Sequence, residues 1–304
     1  MTEVLVNSNP LVSIVIINYN TAGITCQSLQ SILENTLYSP YEILIIDNAS
    51  EREDQNRLKN FAESNSIPIK IMDENIGWNK GVNYGFSNAK GDLLLTINSD
   101  VLVEKEWLGN MIKTFFSEDS VGAVNANIIE EDQSIILSKS KELKLLHAAC
   151  SMFSSKAWNS VGELDVSNFE FYGSENDWSY RARSMGYKLL FSENARVNHL
   201  GTSTNFWITG GGLSVEKTGK VREFIRMRLD GRVKVRAYNF KLKDWMQKVI
   251  VFEFLHAARN GYLFLLITSY IKVFSNIHNV YSSRHERYLN MKKAIKVIKF
   301  SSLK

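Results

Sequence analysis

Three short apolar runs constrain the fold of this chain more than any other feature. Residues 11–18 read Leu-Val-Ser-Ile-Val-Ile-Ile-Asn, residues 41–46 read Tyr-Glu-Ile-Leu-Ile-Ile, and residues 93–97 read Leu-Leu-Leu-Thr-Ile. Runs this short and this continuously aliphatic fit strands covered on both faces, as in the middle of a parallel sheet. Each stops on a polar cluster: Asn18-Tyr19-Asn20, Asp47-Asn48-Ala49-Ser50 and Asn98-Ser99-Asp100. Helical spacing separates them, with Leu29, Ile32 and Leu33 after the first run and Gly81 and Gly85 four apart before the third. Alternation of this kind demands an α/β fold with right-handed crossovers, and it delivers three polar strand ends to one edge of the sheet. Open α/β sheets bind nucleotides at that edge.

The remaining pattern extends the alternation. Helices are predicted over residues 24–37, 54–64, 77–89, 104–116, 156–161 and 174–186, the last stopped by Gly186. Further strands are predicted over 67–72, 121–129, 147–153, 188–191 and 195–199, with a charged excursion at 130–145. Gly201 to Thr204 and Gly210-Gly211-Gly212 mark a loop. The division read from this pattern is an N-terminal tail over 1–10, a Rossmann-like, mostly parallel domain over 11–210, and a basic, partly apolar helical extension over 211–304.

Several function classes fall away. No G-x-G-x-x-G follows the first strand and no G-x-x-x-x-G-K-[ST] occurs, so dinucleotide oxidoreductases and P-loop NTPases are poorly supported. The glycine-rich, basic signature of sugar nucleotidyltransferases is also missing after the first strand. Cys26 and Cys150 are far apart, sit among small or apolar residues, and read as buried free thiols of a reducing compartment. Residues 1–10 have neither a basic start nor an apolar core, so no secretory signal is expected. The predicted location is cytoplasmic, peripheral at the inner membrane face.

Taken together, these residues resemble family 2 glycosyltransferases, inverting nucleotide-sugar enzymes of GT-A fold. Val-Ser-Ile-Val-Ile-Ile-Asn-Tyr-Asn at 12–20 and Ile-Ile-Asp-Asn-Ala-Ser at 45–50 resemble that family's first two strands. Asn-Ile-Gly-Trp-Asn-Lys-Gly-Val-Asn-Tyr-Gly-Phe at 75–86 resembles its glycine-rich helix start. Asn98-Ser99-Asp100 stands at the D-x-D position, Glu175-Asn176-Asp177 at the pair of acids that carries the base, and His199 where many members have a late His. The Asp-Asn-Ala-Ser and 75–86 patterns are similar to bacterial rhamnosyltransferase-like members. The resemblance covers residues 11 to about 205.

The resemblance implies a donor site and a base. Asn18, Asn20, Asp47, Asn79, Lys80, Asn98, Ser99 and Asp100 would bind the nucleoside-diphosphate sugar, with Lys80 countering phosphate charge. Asp100 and His199 would hold a Mg2+ or Mn2+ on the diphosphate, since hard oxygen ligands suit such ions. Asn98 departs from the pattern, because an amide in place of the first acid of D-x-D adds no charge. Inversion needs one general base for the acceptor hydroxyl. In the family that base stands six residues before an Arg, and counting back from Arg181 gives Glu175, with Asp177 as the rival. Trp178 would be a platform for the acceptor, with core packing as the other reading. The implied reaction moves a hexosyl or deoxyhexosyl group to a glycan or lipid-linked acceptor. Asn98 and Glu175 in place of Asp also keep open a non-catalytic GT-A-like scaffold subunit.

Charge separates the two parts of the chain. Residues 211–304 hold 20 Lys and Arg against 6 Asp and Glu, a net +14, whereas residues 1–210 carry a net −10. A basic, partly apolar segment fits an amphipathic helix on an anionic membrane surface. A helical hairpin packed on the body or on a second copy is the competing reading. Nucleic acid is not an expected partner, because no recognised binding module is present.

Overall fold

The computed structural model describes residues 9–130, 133–134, 141–169, 172–201, 216–239, 250–275, 280 and 282. The predicted loop at 202–204 and 210–212, most of the N-terminal tail and part of the 130–145 excursion lie outside the described residues. The chain divides into two compact units, one of residues 1–160 and 187–203, the other of 161–186 and 204–304.

The first unit is built on one sheet. Strands β1 (Val12–Asn18), β2 (Tyr41–Asp47), β3 (Ile69–Ile71) and β4 (Leu93–Asn98) are parallel, in the order β3-β2-β1-β4. Helices α1 (Ala22–Asn35), α2 (Arg52–Ser64) and α3 (Trp78–Ser87) make the crossovers. Every residue of β1 is buried, as its unbroken apolar run requires. Register sets Asn18 beside Asp47 and Ile17 beside Asn98, so the polar strand ends share one edge. The glycine spacing in α3 has its reason here: a Cβ at Gly85 would overlap the Val15 side chain of β1, and one at Gly81 would stand 3.1 Å from Ile17.

Beyond β4 the sheet turns mixed. Helix α4 (Trp107–Phe115), strand β6 (Val121–Glu130), the short β7 (Gln133–Ser134), β8 (Cys150–Ser154) and helix α5 (Ser155–Val161) follow in the chain. Strand β8 is antiparallel to both β4 and β6. The two strands predicted at 188–191 and 195–199 are one strand, β9 (Lys188–His199), parallel to β6 with an irregularity between Ala126 and Asn127. That irregularity absorbs Glu193, Asn194 and Ala195, which lie between Ser192 opposite Ala126 and Arg196 opposite Asn127. A strand the sequence reading lacks, β5 (Val101–Val103), pairs with β9. Its other edge is saturated by α1 side chains. Ser28 Oγ donates to Val101 O at 2.6 Å, Asn35 Nδ2 donates to Val103 O at 3.1 Å, and Val103 N donates to Ser31 Oγ at 3.1 Å. Cys150 is buried and Cys26 half-buried, both free.

The second unit contains helix α6 (Ser174–Ser184) and, from the basic extension, α7 (Glu216–Asn239), α8 (Ile250–Arg259) and α9 (Leu263–Ser275). Phe169, Leu229, Val233, Leu266, Tyr270 and Val273 are part of its own apolar core. Helix α6, which precedes the predicted division at residue 211, packs with α7 within this unit.

Candidate active site

In the first unit the ends of β1 and β2 are locked into a buried polar cluster. Asn18 Nδ2 donates to Asp47 Oδ1 at 2.7 Å and to Asp54 Oδ2 at 2.8 Å, while Asn18 Oδ1 accepts from the Thr25 hydroxyl at 2.8 Å. Ser50 donates to Asp47 twice, from Oγ at 2.6 Å and from its backbone N–H at 3.0 Å. Asp54 in turn receives the Ala22 N–H at 2.7 Å, holding the first turn of α1. Asn18 and Asp47 are fully buried. Their donors and acceptors tie the two strand-end loops together. Asn20, in left-handed conformation at φ 53°, is half-exposed, and its Oδ1 accepts the Glu51 N–H at 2.7 Å.

The same pattern fastens the entry to α3. Asn48 Nδ2 donates to Asn75 Oδ1 at 2.7 Å, and Asn48 Oδ1 accepts the Ile76 N–H at 2.9 Å. Two residues of the first turn of α3 then diverge, Asn79 buried and Lys80 exposed. Only Lys80 projects a charge into solvent from this turn.

At the end of β4 a second cluster forms. Asp100 is fully buried, with Oδ1 3.4 Å from His199 Nε2. The other ring nitrogen of His199, Nδ1, meets Glu130 Oε1 at 2.5 Å. Strand pairing makes this possible: His199 lies opposite Val101 on β5, and Asn198 opposite Ile129 on β6. Burial would push the His199 pKa down, but the hydrogen bond and charge of Asp100, then those of Glu130, outweigh it and raise it. Ser99 is buried 3.5 Å from the Thr21 hydroxyl, and Asn98 is half-buried at the strand end.

The donor set fits a hard divalent cation. Two neighbouring ligands of an octahedral Mg2+, each at about 2.1 Å, stand roughly 3 Å apart, close to the 3.4 Å between Asp100 and His199. The Asp100 carboxylate is of the ligand type that suits Mg2+ and Mn2+. Among the described residues no group of three or more His, Cys, Asp or Glu side chains forms a complete metal cage.

In the second unit, α6 sorts the two candidate acids into unlike environments. Gly173, at φ 98°, turns the chain into the helix, and a Cβ on it would stand 2.8 Å from Val235 Cγ2 of α7. Asp177 is fully buried. Its Oδ2 accepts from Arg181 Nε at 2.9 Å, one helical turn on, and its Oδ1 accepts from Asn239 Nδ2 of α7 at 2.9 Å. The Arg181 guanidinium continues to the carbonyls of Val161, Gly162 and Glu163. Glu175 is half-buried and, among the described residues, has no cationic side chain in hydrogen-bonded contact; its carboxylate meets Asn176 Nδ2 at 3.2 Å. Burial raises the Glu175 pKa above the usual carboxylate range, against the opposing effects of backbone N–H groups, the Ser174 hydroxyl and Arg228. Trp178 is fully buried, with its indole N–H on the Gly162 carbonyl at 2.9 Å. No face of its ring is open to an acceptor, so core packing replaces the platform role.

Sequence reasoning missed Glu130, Asn239, Asp54 and Asn75. Only the Asp-Asn-Ala-Ser and Asn-Ile-Gly motifs signalled two of these neighbourhoods. Glu130 and Asn239 meet their partners across 69 and 62 residues of chain.

Comparison with known proteins agrees with this geometry. Residues 13–158 match the model of the glycosyl transferase family 2. An uncharacterized Mycobacterium tuberculosis protein is 28% identical over 179 residues, 54% of this chain and 65% of that protein. The undecaprenyl-phosphate 4-deoxy-4-formamido-L-arabinose transferase of Serratia proteamaculans is 30% identical over 125 residues, 38% of this chain and 37% of that protein. The chain spans 24% to 65% of the length of the first curated relatives it matches. A mannosyltransferase from Pyrobaculum calidifontis, solved with GDP-Man and Mn2+, superposes with a TM-score of 0.59 at 14% identity, over 95% of this chain and 86% of that one. Residues 13–158 form a glycosyl transferase family 2 domain, and the fold is GT-A-like.

Proposed function

We propose that the chain is an inverting glycosyltransferase that moves a hexosyl or deoxyhexosyl group from a nucleoside-diphosphate sugar to a hydroxyl of a glycan or lipid-linked acceptor. The observation that carries the mechanism is the split between the two acids of α6. Asp177 is held by Arg181 and Asn239, while Glu175 keeps a raised pKa and, among the described residues, no salt bridge. A base works best when its pKa lies near the operating pH, and burial moves Glu175 in that direction. In this reading Glu175 takes the proton of the acceptor hydroxyl. The acceptor oxygen bonds to the anomeric carbon from the side opposite the leaving group. The bond from that carbon to the diphosphate oxygen breaks, and the electron pair leaves with the nucleoside diphosphate.

On the donor side, Asp47, Asn20, Asn79 and Lys80 surround the nucleotide at the strand ends, and Asn98 and Ser99 line the approach to the diphosphate. Asp100 and His199 would hold a Mg2+ or Mn2+, which supplies charge neutralisation on the departing diphosphate. The Mn2+ in the solved mannosyltransferase complex supports this choice of ion. The undecaprenyl-phosphate in the name of one relative supports a lipid-linked acceptor, and with such an acceptor the chain would work peripherally at the cytoplasmic membrane face, alone or as a homo-oligomer. The deciding test is Glu175→Gln. Transfer is lost while the nucleotide sugar still binds; wild-type turnover in that variant overturns the base assignment.

A further inference from the structure

Helix α9 is apolar on two faces, and only one of them packs inside its unit. Leu266, Ser269, Tyr270 and Val273 form the buried stripe, set against α7 and α8. Phe264, Ile267, Ile271 and Phe274 recur at i, i+3, i+7 and i+10, which puts them on the adjoining stripe. Phe264 is 67% exposed and Ile271 62% exposed, and Phe274 is exposed at its rim while stacking on Tyr270. Leu255 of α8 adds a further exposed aliphatic side chain. Two bulky residues at this exposure, on one stripe of one helix, exceed the scattered apolar residues of an ordinary surface.

Polar and cationic residues flank the stripe. Thr268, Lys272 and Ser275 follow on the remaining side of α9, and Lys272 is exposed while paired with Asp230 of α7 at 3.0 Å. His256 and Arg259 end α8, both exposed. Arg226, Arg228 and Arg232 are exposed on α7, within a segment whose net charge is +14. No described helix is long and apolar enough to cross a bilayer, and α9 has 13 residues. A short helix with aromatic and aliphatic residues on one face and cations beside it is suited to lie in the headgroup region. The surrounding positive charge selects anionic lipid, at a gain of about 1 kcal/mol per Lys or Arg near the surface.

We propose that the outer stripe of α9, centred on Phe264 and Ile271, is the face by which this chain docks on an anionic lipid surface. The proposal deepens the reading of a membrane-peripheral enzyme by naming the contact, and it does not depend on the assignment of Glu175 or Asp100. The test uses the full chain and extruded vesicles of pure phosphatidylcholine or of phosphatidylcholine mixed with the anionic lipid phosphatidylglycerol. Wild type is expected to co-sediment with the anionic vesicles and not with the neutral ones, with affinity falling as salt rises. Phe264→Asp with Ile271→Asp should lower vesicle affinity at least tenfold while the melting temperature and nucleotide-sugar affinity stay at wild-type values. The milder pair Phe264→Ser and Ile271→Ser should give an intermediate loss, which guards against misfolding in the charged variant. Unchanged vesicle binding in both variants overturns the proposal. So does a wild-type dimer in sedimentation velocity that the same substitutions convert to monomer while vesicle binding is absent, since the stripe would then be covered by a second copy. Nucleotide-sugar binding retained at wild-type affinity in an Asp100→Ala variant would count against the donor site alone and leave the docking face standing.

Discussion

Replacing the two acids of α6 one at a time should separate chemistry from architecture. Asp177→Asn keeps the side-chain shape but removes the charge opposite Arg181, a guanidinium that is itself buried. Breaking a buried ion pair from one side costs about 3–5 kcal/mol. At roughly 2–4 °C per kcal/mol for a chain of this size class, the thermal transition should fall by on the order of 10 °C. Glu175→Gln should do the reverse. Burial raises the Glu175 pKa in the folded state, so between the unfolded and folded values the native chain holds a proton the unfolded chain has released. Stability from this group is therefore lost as pH rises through that window, and the Gln variant escapes the loss. It should melt at or above wild type at pH 7 and converge with wild type toward pH 4. Its turnover should drop by about 10²–10⁴-fold, the usual contribution of a general base. Differential scanning fluorimetry across pH, paired with initial-rate assays on the purified chain, reads both effects. An Asp177→Asn variant that keeps wild-type stability, together with a Glu175→Gln variant that keeps wild-type turnover, would refute the assignment of roles.

Other outcomes follow from individual contacts. Asp100→Ala should abolish the Mn2+-dependent rise in melting temperature produced by nucleotide sugar, because a ligand that binds only the folded state stabilises it by mass action. Glu130→Ala frees His199 Nδ1 and removes one of the two carboxylates that raise its pKa; Mn2+ affinity, read by electron paramagnetic resonance, should weaken about 10- to 100-fold, with partial recovery in Glu130→Gln. Gly231→Ala should destabilise by about 1–3 kcal/mol, since a Cβ there would overlap the Tyr172 carbonyl just before α6; a melting temperature equal to wild type would mean that α7 does not press on this turn.

The parts of the fold that local sequence encodes were readable, and the parts that depend on register were not. The apolar runs of β1, β2 and β4 announce buried parallel strands because each residue faces a covered side. Strand β5 gives no such signal. It has three residues, and its outer edge is satisfied by Ser28, Ser31 and Asn35, whose positions on α1 read only as polar residues on a helix. His199 was visible as a late histidine, yet what it does depends on Glu130 and Asp100. Those two reach it because β9 lies between β6 and β5, a placement that no window of sequence contains. The same holds for Asp177. Its spacing from Arg181 forecasts an i, i+4 pair, but the second oxygen is taken by Asn239 from a helix beyond the expected domain boundary. That contact changes what the basic extension is. A segment that reads as a tail with surplus charge supplies, through α7, the floor of the helix carrying Glu175: Asn239 on Asp177, Val235 against Gly173, and Tyr238 donating to Asn168 at 2.7 Å. The charge asymmetry of the chain is thus not a division between a folded body and an appendage. Helices of the positively charged segment build the second unit together with α6 and its two acids.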